Sequence, residues 1–135
     1  MKFTLDTVQG IMVHSAQAGE VVLRMPNDNP AHPYRKQSYT SSLILGGSDH
    51  VEDWSLTHVN ELTAEHLEIV WQRQPDIVLL GTGSRLIFPD RDIHQRFGTR
   101  GIGVEVMDTA AACRTYNVLL AEGRNVMALL IVDQG

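Results

Sequence analysis

The run GVEVMDTAAACRTYNVLLAEGRNVMALLIV, residues 103–132, changes its hydrophobic period twice, and that change decides the fold class. GVEVM, 103–107, alternates like a strand, DTAAACRTYNVLLAEG, 108–123, has a helical period, and VMALLIV, 126–132, is a continuous apolar run that suits a strand buried on both faces. Asp108 and Thr109 are ordinary helix caps, Gly123 is a C-terminal stop, and Arg124 is placed to meet the last carbonyls. Upstream, DIVLL at 76–80 reads as another buried strand. Before it, Leu67, Val70, Trp71 and Gln74 lie at i, i+3, i+4 and i+7, which predicts one helix capped by Thr63 and ended by Pro75. After Pro89, Asp90 is expected to cap a short helix with Ile93 and Phe97 on one side and Gly98 at its end. Strand, helix, strand, helix, strand implies right-handed crossovers and a partly parallel sheet.

The first half alternates short apolar or β-branched runs with turn residues: IMVHSA, EVVLRM, SYTSSLILGG and VEDWSLTHV all read as strands that form hairpins or an antiparallel extension. MPNDNPAHPYRKQ, 25–37, carries Pro26, Pro30 and Pro33 among Asn27, Asp28 and Asn29, which predicts an exposed, mobile loop. No internal repeat, low-complexity segment or linker interrupts the 135 residues, so one layered α/β domain with a mixed sheet is expected.

Eleven Lys and Arg against 16 Asp and Glu give a net charge of −5, and no dense basic run could neutralise successive phosphates, so nucleic acid is an unsuitable partner. One cysteine excludes an internal disulfide, and no stretch approaches the roughly 18 apolar residues of a membrane span, so an integral membrane protein is not expected. MKFTLDTVQG places Asp6 and polar residues where a secretory signal needs an apolar core, and it lacks the Arg-rich character of a transit peptide. The cytoplasm is the expected location.

Two glycines one residue apart follow the 76–80 strand, in GTGSR, and raise the question of a phosphate or dinucleotide loop. The third position of the dinucleotide fingerprint is Leu86 rather than glycine, RLIFP follows in place of a helix whose dipole would face the loop, and no Gly-Lys-Ser/Thr completes a P-loop. The favoured reading is a turn in which Gly81 and Gly83 supply positive φ while Thr82 and Ser84 bond local backbone. Ligands of parallel sheets nonetheless gather beyond the C-terminal strand ends. If the strands ending at Leu80 and Met107 are neighbours, Gly81, Thr82, Gly83, Ser84, Arg85, Asp108 and Thr109 form the candidate ligand or partner-binding site.

No other chemistry stands out. Cys113 sits inside the helix beside Ala110, Ala111 and Ala112, which suits a buried small hydrophobe rather than an activated thiol. Six scattered histidines have neither metal-binding spacing nor companion cysteines, so no metal and no cofactor is predicted. Arg91, Arg96 and Arg100 could meet an acidic partner but read better as solvated surface. Asn117, beside the apolar stripe of its helix, suits a backbone group near the sheet.

PDIVLLGTGSR together with GIGVEVMDTAAACRTYNVLLAEGRNVMALLI resembles the family called domain of unknown function 498, through the ordered set GTG, VEVMDT, TYN and EGR. The resemblance implies a three-layer α/β fold around a central mixed sheet. Among mitochondrial members it implies non-catalytic proteins that bind other factors during respiratory complex I assembly. It supplies no catalytic residues to carry over. A non-enzymatic interaction module with a protein partner is therefore the leading expectation, with a surface that includes the proline-rich segment and the crevice near Thr82, Arg85 and Asp108. The alternative is a small-molecule binder or enzyme in that crevice, with Arg85 holding an acidic group and Asp108 acting on the substrate.

Overall fold

A computed structural model of the chain describes residues 10–47 and 49–134; the leader reading, including Asp6, lies outside the described residues. Eight strands run in chain order as β1 (Met12–Gln17), β2 (Glu20–Asn29), β3 (His32–Tyr39), β4 (Leu43–Gly46), β5 (His50–Asp53), β6 (Ile77–Gly81), β7 (Gly103–Met107) and β8 (Val126–Leu130). Three helices are α1 (Glu68–Arg73), α2 (Arg91–Thr99) and α3 (Thr109–Ala121). The first three strands form an antiparallel sheet, and the other five form a mixed sheet in the order β5-β4-β8-β6-β7. Within it β6 is parallel to both β7 and β8, whereas β4 is antiparallel to β8 and β5.

The mixed sheet is central because its inner strands are apolar on both faces. Ile44, Val78, Leu80, Met127 and Leu129 pack to one side with α1, α2 and the β5–α1 connection. Leu43, Leu45, Leu79, Ala128 and Leu130 pack to the other with α3 and the β1–β2 hairpin. This gives the expected three layers, an α/β domain with an added antiparallel portion. The placement of the helices follows from chain direction. From β6 the chain moves one strand outward to β7, then back across β6 to β8, so crossovers of one hand require α2 and α3 on opposite faces.

Several local expectations change. The segment 25–37 is a paired hairpin rather than a loop, with Met25↔Arg35 and Pro26↔Tyr34 in register and Asn27 Nδ2 donating to His32 O at 2.9 Å. The ladder tolerates Pro26 because β1 stops pairing at Met12↔Arg24, so from there β2 needs hydrogen bonds on one side only. VEDWSLTHV yields only the strand His50–Asp53; Trp54 and Leu56 then turn into the core as the chain leaves the sheet. The helix expected from Thr63 is a 3-10 turn, Ala64–Leu67, followed by α1, whose C-cap Gln74 takes φ 50° before Pro75. Asp90 occupies the N-cap of α2 without a side-chain cap bond, and Gly98 lies within that helix, with Gly101 at φ 68° beyond its end. Ile93 and Phe97 are buried as expected.

Helix α3 joins the two sheets through Asn117. Its Oδ1 accepts from Val13 N–H at 2.9 Å and its Nδ2 donates to Val13 O at 2.8 Å, so the amide replaces a missing strand at the bulged edge of β1. Replacing Asn117 with Leu leaves both backbone groups unpaired and is expected to cost about 1–3 kcal/mol, read as a lower urea midpoint at unchanged slope.

Candidate functional site

The C-terminal ends of β6 and β8 and the start of α3 meet at one point. Gly81 is buried and has no positive φ; the expected left-handed turn belongs to Gly83 alone, at φ 102°. The need for glycine at 81 is close approach: a Cβ there would lie 2.9 Å from both Thr109 Cα and Thr109 Oγ1 and 3.2 Å from Ala112 Cβ. Gly83 is constrained twice, since a Cβ would also overlap the Asp133 carboxylate, with its Cγ at 2.8 Å.

Thr109 ties these pieces together. Its hydroxyl donates to Ile131 O at 2.6 Å and accepts from Gly83 N–H at 2.8 Å, while its own N–H donates to Gly83 O at 2.8 Å. Thr82 N–H donates to Met107 O at 2.9 Å. The Thr82 hydroxyl donates to Arg85 O at 2.6 Å and accepts from Ile87 N–H at 3.0 Å. Ser84 N–H donates to the Asp133 carboxylate at 3.1 Å. The donors of Thr82, Gly83 and Ser84 are thus directed at protein acceptors. The start of α3 does face this loop, contrary to the sequence expectation. Its first turn is already occupied by the bond to Gly83 O and by Asp108 Oδ1, which accepts from Ala111 N–H at 2.8 Å.

A crevice of about 140 Å³ remains, bounded by Gln17, Ser84, Asp108, Thr109, Val132 and Asp133. The strands ending at Leu80 and Met107 are neighbours, and the segments that follow them line the crevice together with the segment after β8 and the β1–β2 turn. Gly83, Ser84, Asp108 and Thr109 are brought together there; Gly81 and Thr82 are buried beneath it, and Arg85 is exposed outside it. Sequence reasoning missed Asp133 and the β1–β2 turn, which arrive from the two ends of the chain and carry no local signal. Two carboxylates, Asp108 and Asp133, make the crevice unsuited to an anion.

Beyond Ser84 the chain displays its apolar side chains outward. Leu86 is 51% and Phe88 71% exposed, while Ile87 between them packs against the core. Of the nearby arginines, Arg96 bonds Asp92 at 2.9 Å and Arg100 stacks on Trp71 at 4.0 Å. Cys113 is buried, and that burial pushes its thiol up to about 12. Among the described residues no three His, Cys, Asp or Glu side chains gather as a metal site, and no helix is long and apolar enough to cross a membrane.

A family model described as "Protein of unknown function (DUF498/DUF598)" matches residues 32–131. The chain belongs to this family. It is 31% identical over 94 residues to the "13 kDa major membrane protein" of Francisella tularensis subsp. holarctica, covering 69% of this chain and 76% of that protein. It is 37% identical over 87 residues to "NADH dehydrogenase [ubiquinone] 1 alpha subcomplex assembly factor 3" of Rattus norvegicus, covering 63% of this chain and 47% of that one, so the match spans about half of that relative. The solution structure of a Xanthomonas campestris protein superposes with a TM-score of 0.74 at 34% identity, covering 97% of this chain and 86% of that one. The family range begins at β3, so β1 and β2, which supply Gln17 to the crevice, precede it.

Replacing Thr109 with Val removes the partner of a buried N–H and of a buried carbonyl, and is expected to destabilise by at least about 2 kcal/mol, whereas Thr109→Ser keeps the hydroxyl and most of that stability; chemical denaturation compares the two. Cys113 should not react with an aromatic disulfide reagent at pH 8 in the folded protein, since raising a thiol from 9.0 to about 12 lowers its thiolate fraction roughly a thousandfold. Full reaction should appear on unfolding.

Proposed function

We propose that this chain is a non-enzymatic, cytoplasmic protein-interaction module of the assembly-factor kind, which contacts its partner at the end of the sheet where β6 leaves the core. The carrying observation is the outward pair Leu86 and Phe88, on a loop fixed by Thr82 through the Arg85 carbonyl and the Ile87 amide. Apolar side chains held rigidly in water give a partner surface without a large ordering penalty. Arg85, exposed at the base of the pair, adds a cation that can bond a carboxylate of the partner. The 37% identity to a protein named as an assembly factor supports the same reading. The crevice favours the small-molecule alternative less, because about 140 Å³ is well below the several hundred Å³ of ordinary ligand pockets.

Affinity capture of the tagged chain from its native lysate, with an unrelated acidic domain as control, tests this proposal. The wild type is expected to enrich specific proteins that Leu86→Ser/Phe88→Ser and Arg85→Ala lose, with thermal midpoints unchanged. Asp108→Asn, which retains the cap, is the suitable variant on the crevice side; Asp108→Ala would weaken α3 itself by about 1 kcal/mol. Specific partners retained by the Leu86/Phe88 and Arg85 variants would remove this surface from consideration.

A further inference from the structure

The edges of the two sheets are not treated alike. Asn117 occupies the edge of β1 with both hydrogen-bonding groups of its amide. Strand β3 carries Pro33, Arg35 and Lys36 along its edge, and β5 is four residues long and bears Glu52 and Asp53. These are common ways to prevent strand-to-strand pairing. Strand β7 is less protected: its five residues, GVEVM, carry one charge, Glu105, and no proline, lysine, arginine or bulge in its register with β6.

The register identifies what that edge offers. Gly103 N–H donates to Asp76 O at 3.1 Å and Met107 O accepts from Thr82 N–H at 2.9 Å, so Gly103, Glu105 and Met107 direct their backbone groups at β6. Val104 and Val106 therefore direct theirs away from the sheet, and no bond to those groups is made among the described residues. Their side chains pack partly against the α1/α2 face, while Glu105 is exposed on the α3 face and makes no ion pair among the described residues.

We infer that β7 accepts an extended segment of a partner protein as a sixth strand, with a basic residue of that segment facing Glu105. Two donors and two acceptors at Val104 and Val106 supply the ladder, and Glu105 supplies the side-chain preference. A second copy of this chain is a poorer occupant, because the fully overlapping antiparallel register sets Glu105 opposite Glu105. The inference rests on the interaction-module reading and names how the partner is held. It is continuous with that surface, since Thr82, at the base of the display loop, is bonded to the last residue of β7.

The test uses the full chain, labelled with 15N, and two synthetic probes, acetyl-Thr-Val-Lys-Val-Thr-amide and the same peptide with Glu in place of Lys. The Lys peptide is expected to shift amide signals of residues 103–107 at millimolar concentration and to bind at least threefold more tightly than the Glu peptide. Glu105→Lys should reverse that preference, and N-methylation of the peptide backbone should abolish binding. Val104→Pro, which removes an outward N–H, should also abolish it; Glu105→Lys keeps the test valid if Val104→Pro fails to fold. Shifts outside β7, no shifts, or affinities indifferent to peptide charge would overturn the inference. Specific partners still captured by both Glu105→Lys and folded Val104→Pro would also overturn it while leaving the interaction-module reading intact. A wild-type chain that captures no specific partner, yet discriminates between the peptides, would instead sink that reading alone.

Discussion

Helix α3 can lie against the mixed sheet at β6 only because residue 81 has no side chain: a Cβ there would meet the backbone and hydroxyl of Thr109 at 2.9 Å. That approach brings the Thr109 hydroxyl within reach of two different segments, so one side chain bonds Ile131 O and Gly83 N–H together. The ends of β6 and β8 and the start of α3 are thereby fixed as one unit. Small Ala112 and Cys113 continue the same close packing along the helix, which is why the thiol is dehydrated and its ionisation suppressed.

Farther along α3 the same seating sets the second sheet. With the helix held by its first turn, Tyr116 bonds Gly47 O at 2.6 Å and Asn117 reaches Val13. The β1–β2 hairpin thus leans on a helix that leans on β6. The frame consumes its own polar groups at the glycine turn and leaves two features turned outward: the Leu86 and Phe88 side chains, and the backbone of Val104 and Val106. Within three positions the chain passes from Thr82, buried and bonded on both sides, to Arg85, exposed to solvent.

Much of this was legible in the chain. DIVLL, GVEVM and VMALLIV gave their strands because a strand buried on one or both faces must be apolar in a recognisable pattern, and Asp108 and Gly123 bounded α3 because caps act within a few residues. The prolines misled the reading of 25–37, since their local cost is visible in sequence and the one-sided ladder that tolerates Pro26 is not. Asp90 and Thr63 marked element starts correctly, but the sequence overstated the regularity of the helix that follows Thr63.

The candidate site was half legible. Glycines and a capping pair indicated a strand-end turn, and Asn117 indicated a backbone group near the sheet. Which strands adjoin β6 could not be read, so the pairing of β6 with β7 stayed a condition, and the wall supplied by the segment after β8 with Asp133 was not foreseen. The sequence by itself determined the strands of the second half and the two ends of α3, because those depend on period and caps within short windows. Only the tertiary structure decided the order of the strands, the reason for glycine at 81 and the identity of the open edge, because each depends on which distant segment comes to lie alongside.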